Sequence, residues 1–238
     1  MHPARLRCSS LAYSRYAHSS RLADSGASAL SLASISLLRA TSRLVPLLVA
    51  FGTAGCAGSF RAPDPEVAAR AGSLETYSAR IKVSLDGPSL RARVRLLIAF
   101  SRPDELRIEI PGASGARLIA VAARGQLTAA FPADRAVYLS PATPDHLEAL
   151  LGVGLAPAEM IDMLVGIAPV GLQEYRARWG SRVPEDIRAR LRDGGKLRLE
   201  VEEAHLGPEL PEAAFQPPPH ERYRLVTAAE ARQLWGRR

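Results

Sequence analysis

From residue 77 onward, apolar and polar side chains alternate with a period of two, the signature of strands with one dry and one wet face. Tyr77, Ala79, Ile81, Val83 and Leu85 alternate with Ser78, Arg80, Lys82 and Ser84. After an Asp86-Gly87-Pro88 turn, Ala92, Val94, Leu96, Ile98 and Phe100 alternate with Arg91, Arg93 and Arg95, until Leu97 and Ala99 make the second face apolar as well. These two runs predict a hairpin. Leu106, Ile108 and Ile110 predict a third strand, ended by Pro111-Gly112-Ala113-Ser114-Gly115, and residues 117–123, 126–131 and 136–140 predict three more. Six strands joined by short turns make an antiparallel meander rather than βαβ units.

The period then becomes helical. Thr143-Pro144-Asp145 reads as an N-cap with Pro at N1 and an acidic first turn, followed by the stripe Leu147, Leu150 and Leu151. Pro157 opens a second helix carrying Met160, Ile161, Met163 and Leu164, and Gly166 with Pro169 stops it. Strands resume over 172–179. Ile187, Ala189 and Leu191 alternate with Arg188, Arg190 and Arg192, Asp193-Gly194-Gly195 turns the chain, and Leu197, Leu199 and Val201 alternate back. Thr227-Ala228-Ala229-Glu230 predicts a capping box for a last helix through Leu234 and Trp235. A short amphipathic helix is expected around 67–74.

Upstream of this pattern, residues 44–55 form an apolar run behind Arg39 and Arg43, too short for a permanent span, and read as the core of a secretory signal. It ends in Thr53-Ala54-Gly55-Cys56, similar to the lipobox of bacterial lipoproteins apart from Thr53, which stands where Leu is usual. The expected organisation is a removed signal region, 1–55, a lipidated Cys56 with a tether to residue 74, and one domain over 75–238. The alternative at this site is ordinary cleavage after small residues, with Cys56 incidental.

This division changes the meaning of the charge. The 238-residue chain carries +7, but six arginines against Asp24 place +5 of it in residues 1–55, leaving +2 for the remainder. A nucleic-acid partner loses its main support. Of the two cysteines, Cys8 falls in the discarded region, so no thiol remains for a disulfide or a thiolate metal site once Cys56 is acylated.

Lipobox, strand meander, two mid-chain helices and further strands together resemble the lipoprotein-localisation (Lol) carrier and receptor family, nearest its lipid-anchored outer-membrane receptor. The local matches are the Pro-Gly turn after Leu106-Arg107-Ile108-Glu109-Ile110, the run Leu164-Val165-Gly166-Ile167-Ala168-Pro169, Pro184 before the Asp193-Gly194-Gly195 hairpin, and Leu210-Pro211 with Phe215 and Pro219. The resemblance implies a mostly β fold, an incomplete antiparallel β-barrel with a short α-helical lid over an apolar concave face. It further implies a non-enzymatic, monomeric protein without cofactor. Such a protein would bind acyl chains of lipoproteins or lipids at the periplasmic face of the outer membrane and meet a periplasmic carrier protein. The family's receptor carries a bulky apolar residue in the loop after the third strand. Here that loop, 111–115, holds nothing larger than Pro.

The expected acyl-contacting set comprises Val94, Leu96, Ile98, Ile108, Leu118, Val121, Leu127 and Val137 from the strands, with Leu147, Leu150, Met160, Met163 and Leu164 from the helices. Two Met on one helix suit a variable apolar guest, though they also suit ordinary core packing. Helices flanked by Pro144, Gly152, Gly154, Pro157, Gly166 and Pro169 suit an element of low local stability. An apolar strand face does not distinguish a cavity from a filled core. The competing reading is therefore a structural or assembly lipoprotein with a packed barrel.

Chemistry of other kinds is sparse. His146, His205 and His220 lie in separate segments without metal-ligand spacing. Ser114 lacks the G-x-S-x-G frame, and Gly152-Val153-Gly154 lacks a third glycine. Glu202-Glu203 reads as a solvated strand end. The alternating arginines read as wet strand faces that discourage edge association, with contact to anionic lipid or a partner as the other reading.

Overall fold

The structure, a computed structural model, describes residue 60 and residues 62–236 apart from 89 and 114. The signal region and Cys56 lie outside the described residues. A first helix, α1 (Pro65–Gly72), starts at Asp64, whose carboxylate accepts from the Glu66 N–H at 2.8 Å. The meander follows as β1 (Thr76–Asp86), β2 (Arg91–Ser101), β3 (Glu105–Gly112), β4 (Gly115–Ala123), β5 (Gln126–Phe131) and β6 (Ala136–Pro141), each antiparallel to the next. Two eight-residue helices, α2 (Pro144–Leu151) and α3 (Pro157–Leu164), precede β7 (Leu172–Trp179), β8 (Pro184–Leu191) and β9 (Lys196–Leu206). A two-residue β10 (Arg224–Leu225) and α4 (Ala228–Gly236) complete the described chain.

The order across the sheet is β10-β6-β5-β4-β3-β2-β1-β9-β8-β7. The sheet stays open, with β10 and β7 as its edges, and the fold is the expected mostly β half-barrel with short helices. The second half of the chain joins by laying β9 antiparallel to β1. Registers put Ala79, Ile98, Ile108, Ala120, Ala129 and Tyr138 in one row across six strands, on the face that the helices cover. Alanines at 120, 122, 129 and 136 keep the β4–β6 part of that face shallow, and α4 packs closely against β5 and β6.

A bulge between Arg80 and Ile81 on the β1–β9 ladder pairs Arg80 with Glu203 but Ile81 with Val201. The extra residue shifts the phase by one, so Val201 and Ala204 both face inward while two successive acids face out. Glu202-Glu203 is thus solvated, as expected, but lies within β9 rather than at its end. Arg95 Nε donates to Glu202 Oε1 at 2.8 Å, and Arg80 pairs with Glu203 at 3.4 Å.

The caps follow the sequence in one case and depart from it in another. At α4, Glu230 Oε2 accepts from the Thr227 N–H at 2.8 Å and Thr227 Oγ1 accepts from the Glu230 N–H at 3.3 Å, a reciprocal capping box. At α2 the Thr143 hydroxyl instead pairs with His146 Nδ1 at 2.7 Å and caps no backbone group. After α3 the chain turns at Gly166, where φ is +92° and a Cβ would run into the Trp179 ring. Glycine is required there on both counts.

Candidate functional site

Between sheet and helices lies a cavity of about 80 Å³. Its floor is Ile81, Val83 and Leu85 on β1, Ala92, Val94, Leu96 and Ile98 on β2, Ile108 and Ile110 on β3, and Leu197 and Leu199 on β9. Its roof is Leu151 and Val153 at the end of α2, Met160, Met163 and Leu164 on α3, and Trp235 on α4. Every lining side chain is apolar except for one indole N–H, and that N–H is already bonded to the Leu150 carbonyl at 2.8 Å. A void without polar partners does not hold ordered water. Toward the β1–β2 turn, Val83, Ala92 and Val94 of the same face are only half-buried, so the cavity is continuous with an apolar mouth. Such a site offers no acid, base or nucleophile. It can remove a hydrocarbon segment from water.

The roof is tied down at its margins. Arg102 Nη2 meets Asp162 Oδ1 at 3.0 Å, and the Tyr175 hydroxyl donates to the Met163 carbonyl at 3.0 Å. Burial pushes the Tyr175 phenol well above its ordinary range, which keeps it protonated as a donor. Glu159 fixes the start of α3 by accepting from the Ala156 N–H at 2.9 Å and the Gly171 N–H at 3.1 Å. The carbonyls of the last turn of α2 are held by α4, Glu148 also accepting from the Gly152 N–H at 2.9 Å. Arg232 Nε donates to the Ala149 carbonyl at 2.8 Å, Arg232 Nη2 to Glu148 at 3.0 Å, and Trp235 to Leu150. Arg117 on β4 in turn holds the Trp235 carbonyl.

Seven of the expected contact residues line this cavity: Val94, Leu96, Ile98, Ile108, Met160, Met163 and Leu164. Leu118, Leu127, Leu147 and Leu150 are buried in the same core, in the filled part beneath α2 and α4, and do not line the cavity. Val121 and Val137 are on the wrong face. Val121 pairs with Arg107 and Thr128, and Val137 pairs with Ala130, so both belong to the outer side of the sheet. Phe215, in a short helical turn over 212–215, covers Val121 there. Sequence reasoning missed the β1 and β9 half of the floor and Trp235 in the roof. The alternation of Ile81, Val83 and Leu85 and of Leu197 and Leu199 was legible, but nothing local signals that β9 pairs with β1.

The three histidines among the described residues are dispersed. His146 pairs with Thr143, His205 with Glu203 at 3.3 Å, and His220 Nδ1 lies 2.8 Å from the Pro218 carbonyl. Among the described residues, no group of three His, Cys, Asp or Glu side chains is placed to hold a metal ion, and no helix is long and apolar enough to cross a membrane.

Behind the groove, on the outer face of β8, Asp186 is buried and accepts from both Arg188 and Arg198, with contacts of 3.3 and 2.9 Å to its Oδ2. Burial alone would raise its pKa. Hydrogen bonds and charge from Arg198 and Arg188 outweigh it and hold the carboxyl below its usual value. A carboxylate with a depressed folded pKa stabilises the fold above the unfolded value, near 3.9, and loses that contribution as pH falls through the folded value. Asp186→Asn is expected to cost about 1–3 kcal/mol at pH 7. Urea unfolding at pH 7 and again near pH 3 checks this, because the gap between variant and parent closes in acid.

No protein-family model matches this chain, and no curated protein matches it. Solved structures do. An uncharacterized conserved protein from Thermus thermophilus aligns at 12% identity and a TM-score of 0.40, over 68% of this chain and 96% of its own. A LolA superfamily protein from Nitrosomonas europaea aligns at 10% identity and 0.39, over 66% and 99%. A DUF1329 family protein from Desulfovibrio piger aligns at 10% and 0.38, over 63% and 95%. Likeness at this level says nothing about what a chain binds.

Proposed function

We propose that this chain is a lipid-anchored envelope protein that takes acyl chains of lipoproteins or lipids into the groove beneath α2, α3 and α4, and that it serves lipoprotein localisation at the periplasmic face of the outer membrane. The observation that carries the reading is the wholly apolar cavity, continuous with a half-buried apolar mouth and roofed by short helices tied mainly at their margins. At about 80 Å³ the cavity is a fraction of the roughly 300–1,000 Å³ of ordinary ligand sites. Uptake therefore requires the roof to lift, with the acyl chain replacing contacts that α3 now makes to the sheet, β3 in particular. Hydrophobic gain from the guest offsets the loss of those contacts. A chain that leaves lets the roof close again, which suits transfer rather than storage. A periplasmic carrier protein is the natural donor.

The same small volume favours a second reading, a packed structural or assembly lipoprotein that works through its surface. Capture of a lipidated peptide, in preference to its unlipidated twin, separates the two. The anchor is tested independently by metabolic labelling with a fatty acid. The parent chain is expected to incorporate label and Cys56→Ala to lose it; equal labelling of the two would remove the anchor from the account. Ala57 after the cysteine, under the enteric sorting rule, supports delivery to the outer membrane.

A further inference from the structure

The outer face of the sheet carries a pattern of its own. Registers bring Arg93, Ser84, Arg198, Arg188 and Arg176 side by side across β2, β1, β9, β8 and β7. With strands about 4.8 Å apart, four guanidinium groups share a row roughly 20 Å long. The adjoining row holds Arg91, Asp86, Lys196, Arg190 and Glu174. Like charges directly opposite each other destabilise a sheet; the buried Asp186 beneath Arg188 and Arg198, Glu200 beside Arg198 and Glu174 beside Arg176 relieve part of the first row, and Arg93 is left without such relief. Arg93, Arg190 and Lys196 have no carboxylate partner among the described residues. Together the two rows line a shallow cleft of about 680 Å³ with seven cations and two carboxylates. Residues 56–238 carry only +2 in all, so this face concentrates positive charge that the rest of the domain does not share.

A second observation bears on the orientation. The Arg188 guanidinium lies 4.9 Å from the centre of the Phe60 ring. Phe60 therefore rests on this same face, and Cys56 is four residues upstream in the sequence.

We propose that this arginine-rich face docks on an anionic phospholipid surface, holding the groove turned away from the bilayer to which the chain is tethered. The Phe60 observation bears on this only through the reading of Cys56 as the anchor; the charge pattern stands without it. Attraction of several cations to an anionic surface is additive and short-ranged, and salt screens it.

The test uses the chain from residue 56 onward, which contains the whole described core, with Cys56→Ser so that no acyl anchor can contribute. Sedimentation with vesicles of phosphatidylcholine plus phosphatidylglycerol is expected to bind it about tenfold or more better than phosphatidylcholine alone, with the preference lost at high salt. The triple variant Arg93→Glu, Arg190→Glu, Lys196→Glu removes no ion pair and is expected to abolish the preference with an unchanged circular-dichroism spectrum. Arg124→Glu, an exposed cation elsewhere, is expected to leave it intact. Equal binding to both vesicle types overturns the proposal, as does a triple variant that binds like its parent; the face would then be one for an acidic protein. Acyl capture and fatty-acid labelling are untouched by either outcome.

Discussion

Trp235→Ala is expected to lower the unfolding free energy by about 3–5 kcal/mol, the range for deleting a large buried aromatic. The indole is 4% exposed and lines the groove roof. It also carries the N–H that satisfies the Leu150 carbonyl at the end of α2. Truncation leaves a void and an orphaned carbonyl together, and α2 loses part of its attachment to α4. Trp235→Phe, which keeps most of the ring and drops the donor, is expected to cost only about 1 kcal/mol. Urea denaturation of the three proteins separates packing from hydrogen bonding. Hydrogen exchange should accelerate in α2 before it does in β1 or β2. An alanine variant as stable as the parent would show that α4 is no part of the roof.

The second large effect concerns capture. Leu96 and Leu164 both line the cavity, one on the floor and one in the roof, and Leu164 is 1% exposed. Leu96→Glu or Leu164→Glu puts a carboxylate where nothing can pair with it, and retention of a lipidated peptide should disappear. Because a buried carboxylate can also unfold a core, Val94→Phe provides the control. Val94 is half-buried at the mouth, where a phenyl ring fills existing space and a size change of this kind usually costs at most about 1–3 kcal/mol. That variant should fold and yet capture the peptide at least about tenfold more weakly. Arg93→Glu, on the outer face, should capture it like the parent.

Much of the architecture is legible because the first two strands and the β8–β9 hairpin each have one charged face. Arg91, Arg93 and Arg95, or Arg188 and Arg190, mark the wet side, and the inward residues follow by parity. Legibility fails where that contrast fails. In Leu118-Ile119-Ala120-Val121-Ala122 both faces are apolar, since Phe215 and the chain around it cover the outside as the helices cover the inside. Parity then has no reference, and Val121 reads as a groove residue when it is not. Val137 fails for the same reason, flanked by Ala136 and Tyr138 with all three buried. Pairings between distant segments are out of reach altogether. Neither the β1–β9 ladder nor the parallel contact of β10 with β6 leaves a local trace, and with the first of them goes half of the cavity floor. The expected lid of two helices is a roof of three, because a capping box announces that α4 exists and not where it packs.

The central claim is that the roof lifts to admit an acyl chain into a cavity that, closed, holds about 80 Å³. Its most direct test is calorimetric titration of the chain from residue 56 onward with a lipidated peptide and with the same peptide lacking its acyl group, each at several temperatures. The account predicts saturable one-to-one binding of the lipidated peptide alone, with a negative heat-capacity change from buried apolar surface, and its loss in Val94→Phe. Equal heats from the two peptides, or lipidated-peptide binding that Val94→Phe leaves unchanged, would contradict it.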